Sequence, residues 1–418
     1  MELVTEEKKG FKKTEVGLIP EDWEIKVIDQ LTSRVGDGIH ATPNYDESGP
    51  YYFINGNNLA NGKIHITEAT KKVSEDEYKI HKRDLSDTTI LLSINGTIGN
   101  VAFYRNEPVL LGKSAAYINI VPNAKKEYLF YQLQTEYVQE YFYNNLTGTT
   151  IKNLGLGTIR STPIPLPPTL EEQQAIADAL SDVDELIRSL DALIEKKEAI
   201  KKGVMQQLLT GKKRLPGFDG EWEVKKLGDL AEVKGGKRLP KGWSLKDEKN
   251  NHPYIRVADM YSGGVDFTNL MYVPEEISSD ISNYRIYEED LFISVAGTLG
   301  IVGEVPKKLN GANLTENADR LTSIKCDKKY LLYYLLSPAI QDAIKESRTL
   351  GAQPKLAIER IKQFDVFLSN DLSEQKDIAQ ILSDMDEELQ TLRQKRDKMR
   401  RVKEGMMQEL LTGKTRLV

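Results

Sequence analysis

Apolar residues recur from residue 172 onward at alternating intervals of four and three: Ile176, Leu180, Val183, Ile187, Leu190 and Ile194, then Val204 and Leu208. That spacing keeps one apolar stripe on one side of an α-helix and predicts a heptad seam. Lys197 and Lys201 interrupt it. A second stretch carries Ile378, Leu382, Met385, Leu389 and Leu392, then Met399, Met406 and Leu410, interrupted by Arg396 and Lys403. Thr169 with Glu172, and Asp371 with Glu374, have the spacing of capping boxes at the two helix starts. Pro167 and Pro168 hold the preceding chain extended, and Gly211 and Gly413 end the helices. About 40 residues make roughly 60 Å of helix.

The two stretches are copies. Aligned at an offset of 202 without a gap, Glu172–Leu215 and Glu374–Leu417 share 22 of 44 residues. Both read L-S-D-x-D-E early and L-L-T-G-K-x-R-L late. The preceding chain repeats more weakly. Trp23-Glu24-Ile25-Lys26 resembles Trp222-Glu223-Val224-Lys225, Ser93–Gly99 resembles Ser294–Gly300, and Tyr51–Ile64 resembles Tyr254–Val265. The period is too long for a solenoid and marks a duplicated, domain-sized unit. It divides the chain into a variable domain at 1–168, a long helix at 169–212, a second variable domain at 213–370 and a second long helix at 371–418.

Charge sets the expected helix direction. Glu171–Asp191 holds seven acids and one base, and Ala192–Leu215 holds seven bases and two acids. The second copy has the same polarity, with acids in Glu374–Glu388 and bases in Arg393–Lys403. Side by side in parallel, like charge would meet like; antiparallel, each acidic half meets a basic half. The expected architecture is α+β: two β-rich mixed domains separated by two long antiparallel helices in a coiled coil, an internal duplication with pseudo-two-fold symmetry. In the first domain Thr89–Ser93, Asn100–Tyr104 and Ala116–Val121 read as strands and aromatic-rich Tyr128–Tyr143 as helix. Leu291–Val295, Gly300–Val305 and Lys329–Ile344 do the same in the second.

Composition narrows the chemistry. The chain has 418 residues, 39% hydrophobic and 29% charged, enough for two or three cores. No apolar run nears the ~20 residues of a membrane helix, and the charged Met1–Lys13 lacks the apolar centre of a signal peptide, so a cytoplasmic, membrane-free location is expected. Cys326 is the lone cysteine, and His40, His65, His81 and His252 are scattered, so no metal site is expected. The net charge of −6 argues against binding nucleic acid by bulk electrostatics alone and fits partners that supply positive charge.

No catalytic constellation recurs in both copies. Gly112-Lys113-Ser114 and Gly413-Lys414-Thr415 lack the first glycine of a phosphate loop, with Glu107 and Gln408 in its place. What recurs suits a polyanion. Asn95 and Thr97, and Thr298 in the second copy, lie on tight glycine turns. Thr149, Thr150 and Lys152 follow Gly148 in a segment that could open a helix toward a phosphate; its counterpart carries Gln353 and Lys355. Lys234, Lys237, Arg238 and Lys241 form a glycine-interleaved basic loop, with Arg34 at the corresponding place in the first domain. Lys113 completes the candidate DNA-contacting residues.

The layout resembles the specificity (S) subunit of type I restriction–modification systems. The resemblance rests on Gly17-Leu18-Ile19-Pro20-Glu21-Asp22-Trp23, on Pro163-Ile164-Pro165-Leu166-Pro167-Pro168 followed by Glu171-Glu172-Gln173, and on the doubled Leu-Leu-Thr-Gly-Lys with Leu215-Pro216-Gly217-Phe218 leading to Trp222. It covers nearly the whole chain. It implies two target recognition domains, each reading half of a bipartite site in double-stranded DNA, in a subunit without catalytic residues. It also implies partners: two methylation (M) subunits and restriction (R) subunits, on which S-adenosylmethionine, Mg and ATP act, with no cofactor in this chain. Phe367-Leu368-Ser369-Asn370 replaces the proline-rich entry to the second helix, so a less stiff joint is expected there. The rival reading is a scaffold that holds two protein ligands at a fixed distance; sequence-specific binding to a two-part DNA site separates the two.

Overall fold

The two acids expected to cap the long helices turn out to be buried ion-pair partners instead, and the way the chain folds around them explains why. The computed structural model describes residues 10–150, 152–347 and 355–417. The chain forms two compact units, one from the chain up to Asp191 together with that from Gln394 onward, the other from Ala192–Arg393. Each unit thus combines one variable domain with a segment of both long helices.

In the first unit, strands β1 (Thr32–Asp37), β2 (Thr89–Ser93), β3 (Val101–Phe103) and β4 (Ala115–Ile120) form an antiparallel sheet in the order β3-β2-β4-β1. Every residue of β2 is buried because both faces are covered. Ile90 and Leu92 enter a core with Trp23, Tyr128 and Phe142, while Leu91 between them enters another with Ile54 and Tyr117. The aromatic stretch is two helices, α1 (Lys126–Gln132) and a following one at Glu136–Asn144. Thr135 separates them, accepting a bond from the Val138 N–H and donating its own hydroxyl to the Gln132 carbonyl. The first long helix, α2, spans Leu170–Leu208.

The second unit repeats the plan. Strands β5 (Glu232–Gly235), β6 (Leu291–Ser294), β7 (Val302–Glu304) and β8 (Ala318–Thr322) are ordered β5-β8-β6-β7. Its aromatic stretch splits into α3 (Lys328–Leu336) and Pro338–Ser347, where proline suits the first helical position. The second long helix, α4, spans Leu372–Leu410. Gly211 and Gly413 adopt φ of +64° and +69°, the left-handed cap that stops each helix.

Within each unit the helix segments run antiparallel. In the first, Asp184 meets Lys403 at 2.7 Å and Asp191 meets Arg396 at 3.4 Å, so numbers rise on α4 as they fall on α2. In the second, Lys197 meets Glu388 at 2.7 Å and Lys201 meets Asp386 at 2.5 Å. The seam residues Ile176, Leu180, Ile187, Leu190, Ile378, Leu382 and Leu389 are buried, and Val183, Met385 and Leu392 are half-buried. The four basic interruptions are therefore ion-pair layers, each against an acid of the other helix.

The capping boxes form only in part. Thr169 and Asp371 do accept N–H bonds from Glu172 and Ser373. Glu172 and Glu374 do not reach back to the caps; both are fully buried, Glu172 beneath Arg416 and Glu374 beneath Arg214. Burial raises the cost of the Glu374 charge, but hydrogen bonds from Arg214, Ser369 and Trp222 hold its carboxyl below its ordinary value.

The joint after the second domain is as firmly bonded as the first. Tyr128 donates to the Pro165 carbonyl and Tyr330 to the Phe367 carbonyl, at 2.8 and 2.7 Å. Gln173 and Gln375 bridge each domain to its helix start, accepting from the Lys125 and Asp327 N–H groups. Among the described residues no helix is long and apolar enough to cross a membrane.

Candidate nucleic-acid interface

One end of each sheet gathers most of the candidate contacts. In the first unit β2 runs out into Ile94–Gly99, where Gly96 has a φ of +75°, as does Gly297 at the equivalent turn. The Ile94 N–H bonds the Ser114 carbonyl, and the Leu154 N–H bonds the Ile94 carbonyl, at 3.0 and 2.9 Å. Asn95 also bridges to Asn153. Three segments distant in sequence therefore meet, bringing Asn95 and Thr97 beside Lys113 and the loop with Thr149, Thr150 and Lys152. All but half-buried Asn95 are exposed. Lys113 and Lys152 have no ion-pair or hydrogen-bond partner among the described residues. Thr97 is a brace: its hydroxyl donates to the Gly56 carbonyl at 3.0 Å and touches Ser93.

The second unit builds the same end with different residues. The Lys237 N–H bonds the Leu314 carbonyl, and the buried Tyr254 hydroxyl donates to the Lys237 carbonyl at 2.9 Å. Burial pushes the Tyr254 phenol up to about 12, so it stays a neutral donor that pins the basic loop. The Leu356 N–H bonds the Val295 carbonyl and Ala296 bridges to Lys355, which sets Lys355 beside the turn of Thr298. Lys237, Arg238 and Lys241 are exposed on the loop. Arg238 lies 3.2 Å from Glu316, and Lys237 sits over the Tyr284 ring. Gln353 lies outside the described residues.

Three expectations change. The segment after Gly148 does not open a helix: Asn153 folds back on Thr147, and the next helix starts at Leu156. Arg34 and Lys234 lie within edge strands rather than in loops, Arg34 opposite Asn119 and Lys234 opposite Arg320. Lys234 is paired with Glu232 at 2.5 Å, whereas Arg34 is exposed and has no partner among the described residues. The register also aligns Arg34 with Glu232 rather than with the basic loop: Asn119 and Thr322 are the equivalent partners on β4 and β8.

Sequence reasoning passed over Arg83 and Arg160, which no motif marks. Arg83 donates to the Asp37 and Gly38 carbonyls at 2.9 and 3.1 Å, and Arg160 to the Val35 carbonyl at 2.7 Å. Both converge on β1 only through the fold. Within β8 of the second sheet, Asp319 is buried without a hydrogen-bond partner for its Oδ2, and burial pushes its carboxyl up to about 6. Among the described residues no cluster of three or more His, Cys, Asp or Glu side chains is placed to hold a metal ion.

Comparison with known proteins gives a consistent picture. The family model for the type I restriction modification DNA specificity domain matches twice, at residues 20–200 and 219–400. A Methanocaldococcus jannaschii protein provisionally named the type I restriction enzyme MjaX specificity subunit is 30% identical, covering 98% of this chain and 97% of its own. The type I restriction enzyme MjaVIII specificity subunit of the same organism is 24% identical, covering 98% of this chain and 96% of its own. The crystal structure of a type I restriction–modification S subunit from M. genitalium shares the fold, with a TM-score of 0.59 at 19% identity over 93% of this chain and 96% of that one.

Proposed function

Because the chain belongs to the type I restriction–modification DNA specificity family, a family of non-catalytic DNA-recognising subunits, we propose that each unit reads one half of a bipartite site with the end of its four-stranded sheet. The observation that carries this is the recurrence of one construction in both units. A glycine turn after β2 or β6 is tied by backbone bonds to a loop from the far end of the same domain, and the variable side chains project from it. The shared framework holds position while the residues on it differ: Asn95, Lys113 and Lys152 in one unit, Lys237, Arg238 and Lys355 in the other. Two unlike half-sequences follow from two unlike sets of side chains. Base reading belongs to the polar side chains on the turns, and the flanking cations position the backbone.

On this reading the long helices set the unread spacer and dock two methylation subunits, restriction subunits join that assembly, and S-adenosylmethionine, Mg and ATP act there and not on this chain. The duplication supports it: two copies of one reading unit suit a site of two parts. The test is to assemble the chain with its methylation subunits and map the methylated adenines in DNA. Two fixed half-sequences around an unread spacer are expected, and replacing Lys237, Arg238 and Lys241 should affect only binding attributed to the second half. A continuous site, or changes in both halves, would overturn the assignment of one unit to one half.

A further inference from the structure

We propose that edge strand β1 of the first unit is a second DNA contact: a cleft in which Arg34, Arg83 and Arg160 hold a phosphodiester flanking the half-site. The proposal rests on the reading of the sheet end as a DNA interface and adds to it a site, a ligand group and a difference between the two units.

The cleft is about 500 Å³ and lies along Thr32–Asp37, with Arg34, Arg83 and Arg160 among its walls. Two of the guanidinium groups are fixed by the backbone. Arg83 bonds the Asp37 and Gly38 carbonyls, and Arg160 the Val35 carbonyl, which leaves N–H groups on each free to face a ligand. A guanidinium already held in place loses little freedom when it forks onto a phosphate. Arg34, one residue before the Val35 that Arg160 holds, is exposed and has no side-chain partner among the described residues. Two acids share the cleft. Asp37 is engaged by His40 at 2.8 Å, and Asp29 is largely exposed, no nearer than 3.8 Å to Arg160. The balance favours an anion.

The cleft is continuous with the sheet end. Gly38, whose carbonyl Arg83 holds, bonds through its own N–H to the Ala115 carbonyl, next to the turn that carries Lys113. Arg160 stands on the short helix that follows the Lys152 loop. A strand advances about 3.3 Å per residue, so Arg34 lies on the order of 10 Å along β1 from Asp37. That is about three base-pair steps at roughly 3.4 Å each, the distance of a flanking phosphate rather than a read base.

The second unit carries other side chains at the corresponding positions. Glu232 stands at the position of Arg34, bound to Lys234, and Lys362 stands 202 residues after Arg160, bound to Glu359 at 2.8 Å. Its edge strand carries Glu232 bound to Lys234 where the first carries Arg34, exposed and without a side-chain partner among the described residues. The first unit therefore takes an extra phosphate, and its half of the site carries more of the salt dependence.

The experiment measures DNA affinity against salt for the chain assembled with its methylation subunits, on a cognate duplex and on an unrelated one. Losing one phosphate contact lowers the slope of log affinity against log salt by about 0.9. Arg34→Gln and Arg160→Gln should each lower the slope by about that amount and weaken both duplexes by a similar factor, with the methylated sequence unchanged. Lys362→Gln should leave the slope as it was. Should Arg160→Gln fail to fold through loss of its Val35 bond, Arg34→Gln, which breaks no side-chain bond among the described residues, decides. An unchanged slope for Arg34→Gln overturns the proposal, and so does a loss confined to one base pair, which would make the residue a base reader. A wild-type complex with no sequence preference would instead remove the underlying reading of the sheet end.

Discussion

Arg416 sets its guanidinium fork on the carboxylate of Glu172, a side chain with no exposed surface, with Nη2 2.8 Å from Oε2. Arg214 does the same to Glu374 at 2.7 and 2.9 Å, with the Trp222 indole N–H adding a third bond. Each pair ties the start of one long helix to the segment just beyond the end of the other. The repeated Leu-Leu-Thr-Gly-Lys-x-Arg-Leu thereby acquires a physical reason: glycine turns the chain so that the arginine three residues later reaches back over the acid. Removing one partner of a buried pair leaves an uncompensated charge, at about 3–5 kcal/mol. Because both arginines remain about one-third exposed, Arg214→Ala and Arg416→Ala should each destabilise by less than that range, measured by denaturant unfolding.

Glu374 also gives that joint a pH dependence. Its carboxyl is held below the ordinary value of 4.5, so the ionised form is the one the fold favours. The stabilisation is present above that value and is lost as pH falls through the depressed one. Glu374→Gln should therefore lower stability at pH 7 and flatten its decline on acidification. Parallel melting curves for variant and wild type between pH 6 and pH 3 would contradict this.

Asp319 works in the opposite direction. Burial raises its carboxyl from 3.8 to about 6, so the neutral form is favoured. The fold is most stable, as far as this group decides, below 3.8, and loses that advantage as pH rises through 6. Asp319→Asn should stabilise the chain at pH 7, on the order of 3 kcal/mol at most, and change little near pH 3.8. Equal gains at both pH values would show that the buried charge is not the cause.

The seam is tested through Leu180 and Leu382, equivalent residues that are both fully buried. Each joins its long helix to the core of one unit, Leu180 with Tyr128 and Leu410, Leu382 with Tyr330 and Leu208. Replacement of a buried leucine by alanine costs ~2–5 kcal/mol. Leu180→Ala and Leu382→Ala should each fall in that range and add, since they lie in separate units. Leu186→Ala, on the exposed side of the same helix, should cost under 1 kcal/mol.

The long helices were legible in the sequence because their signals are local. Heptad spacing, glycine ends and charge polarity all act within a few turns, and doubling at a constant offset separated them from chance. Strand β2 was legible for the same reason, as an apolar run between turns. The functions of Glu172 and Glu374 were not. Their spacing from Thr169 and Asp371 satisfies a capping pattern, but an arginine far along the chain outbids the local partner once both are buried. The proposed DNA contacts divide similarly. Lys237, Arg238 and Lys113 announce themselves by composition, whereas Arg83 and Arg160 bond carbonyls of β1 across 46 and 125 residues, and no window of sequence contains that approach. Tyr131 and Tyr333, which donate to Asp184 and Asp386 at 2.9 Å, were likewise visible only as aromatic helix residues.

The spacer reading makes the most direct demand on the helices. The ion pairs fall in two sets, those of Asp184 and Asp191 in the first unit and those of Lys197, Glu198 and Lys201 in the second. The boundary between the two sets falls after Asp191 on α2 and after Arg393 on α4. Lengthening one helix alone would pull one set out of register. Four residues inserted after Asp191 and four more after Arg393 leave every pair with its partner. Each insertion adds about one turn and ~6 Å, or one to two base pairs at roughly 3.4 Å. The doubly lengthened chain, assembled with its methylation subunits, should keep both half-sequences and methylate sites whose unread spacer is one or two base pairs longer. Insertion after Asp191 alone should lose most activity and stability together. Mapping methylated adenines in DNA exposed to each variant decides between a helix pair that measures DNA and one that only joins two domains: in the second case the doubly lengthened chain would keep the original spacer.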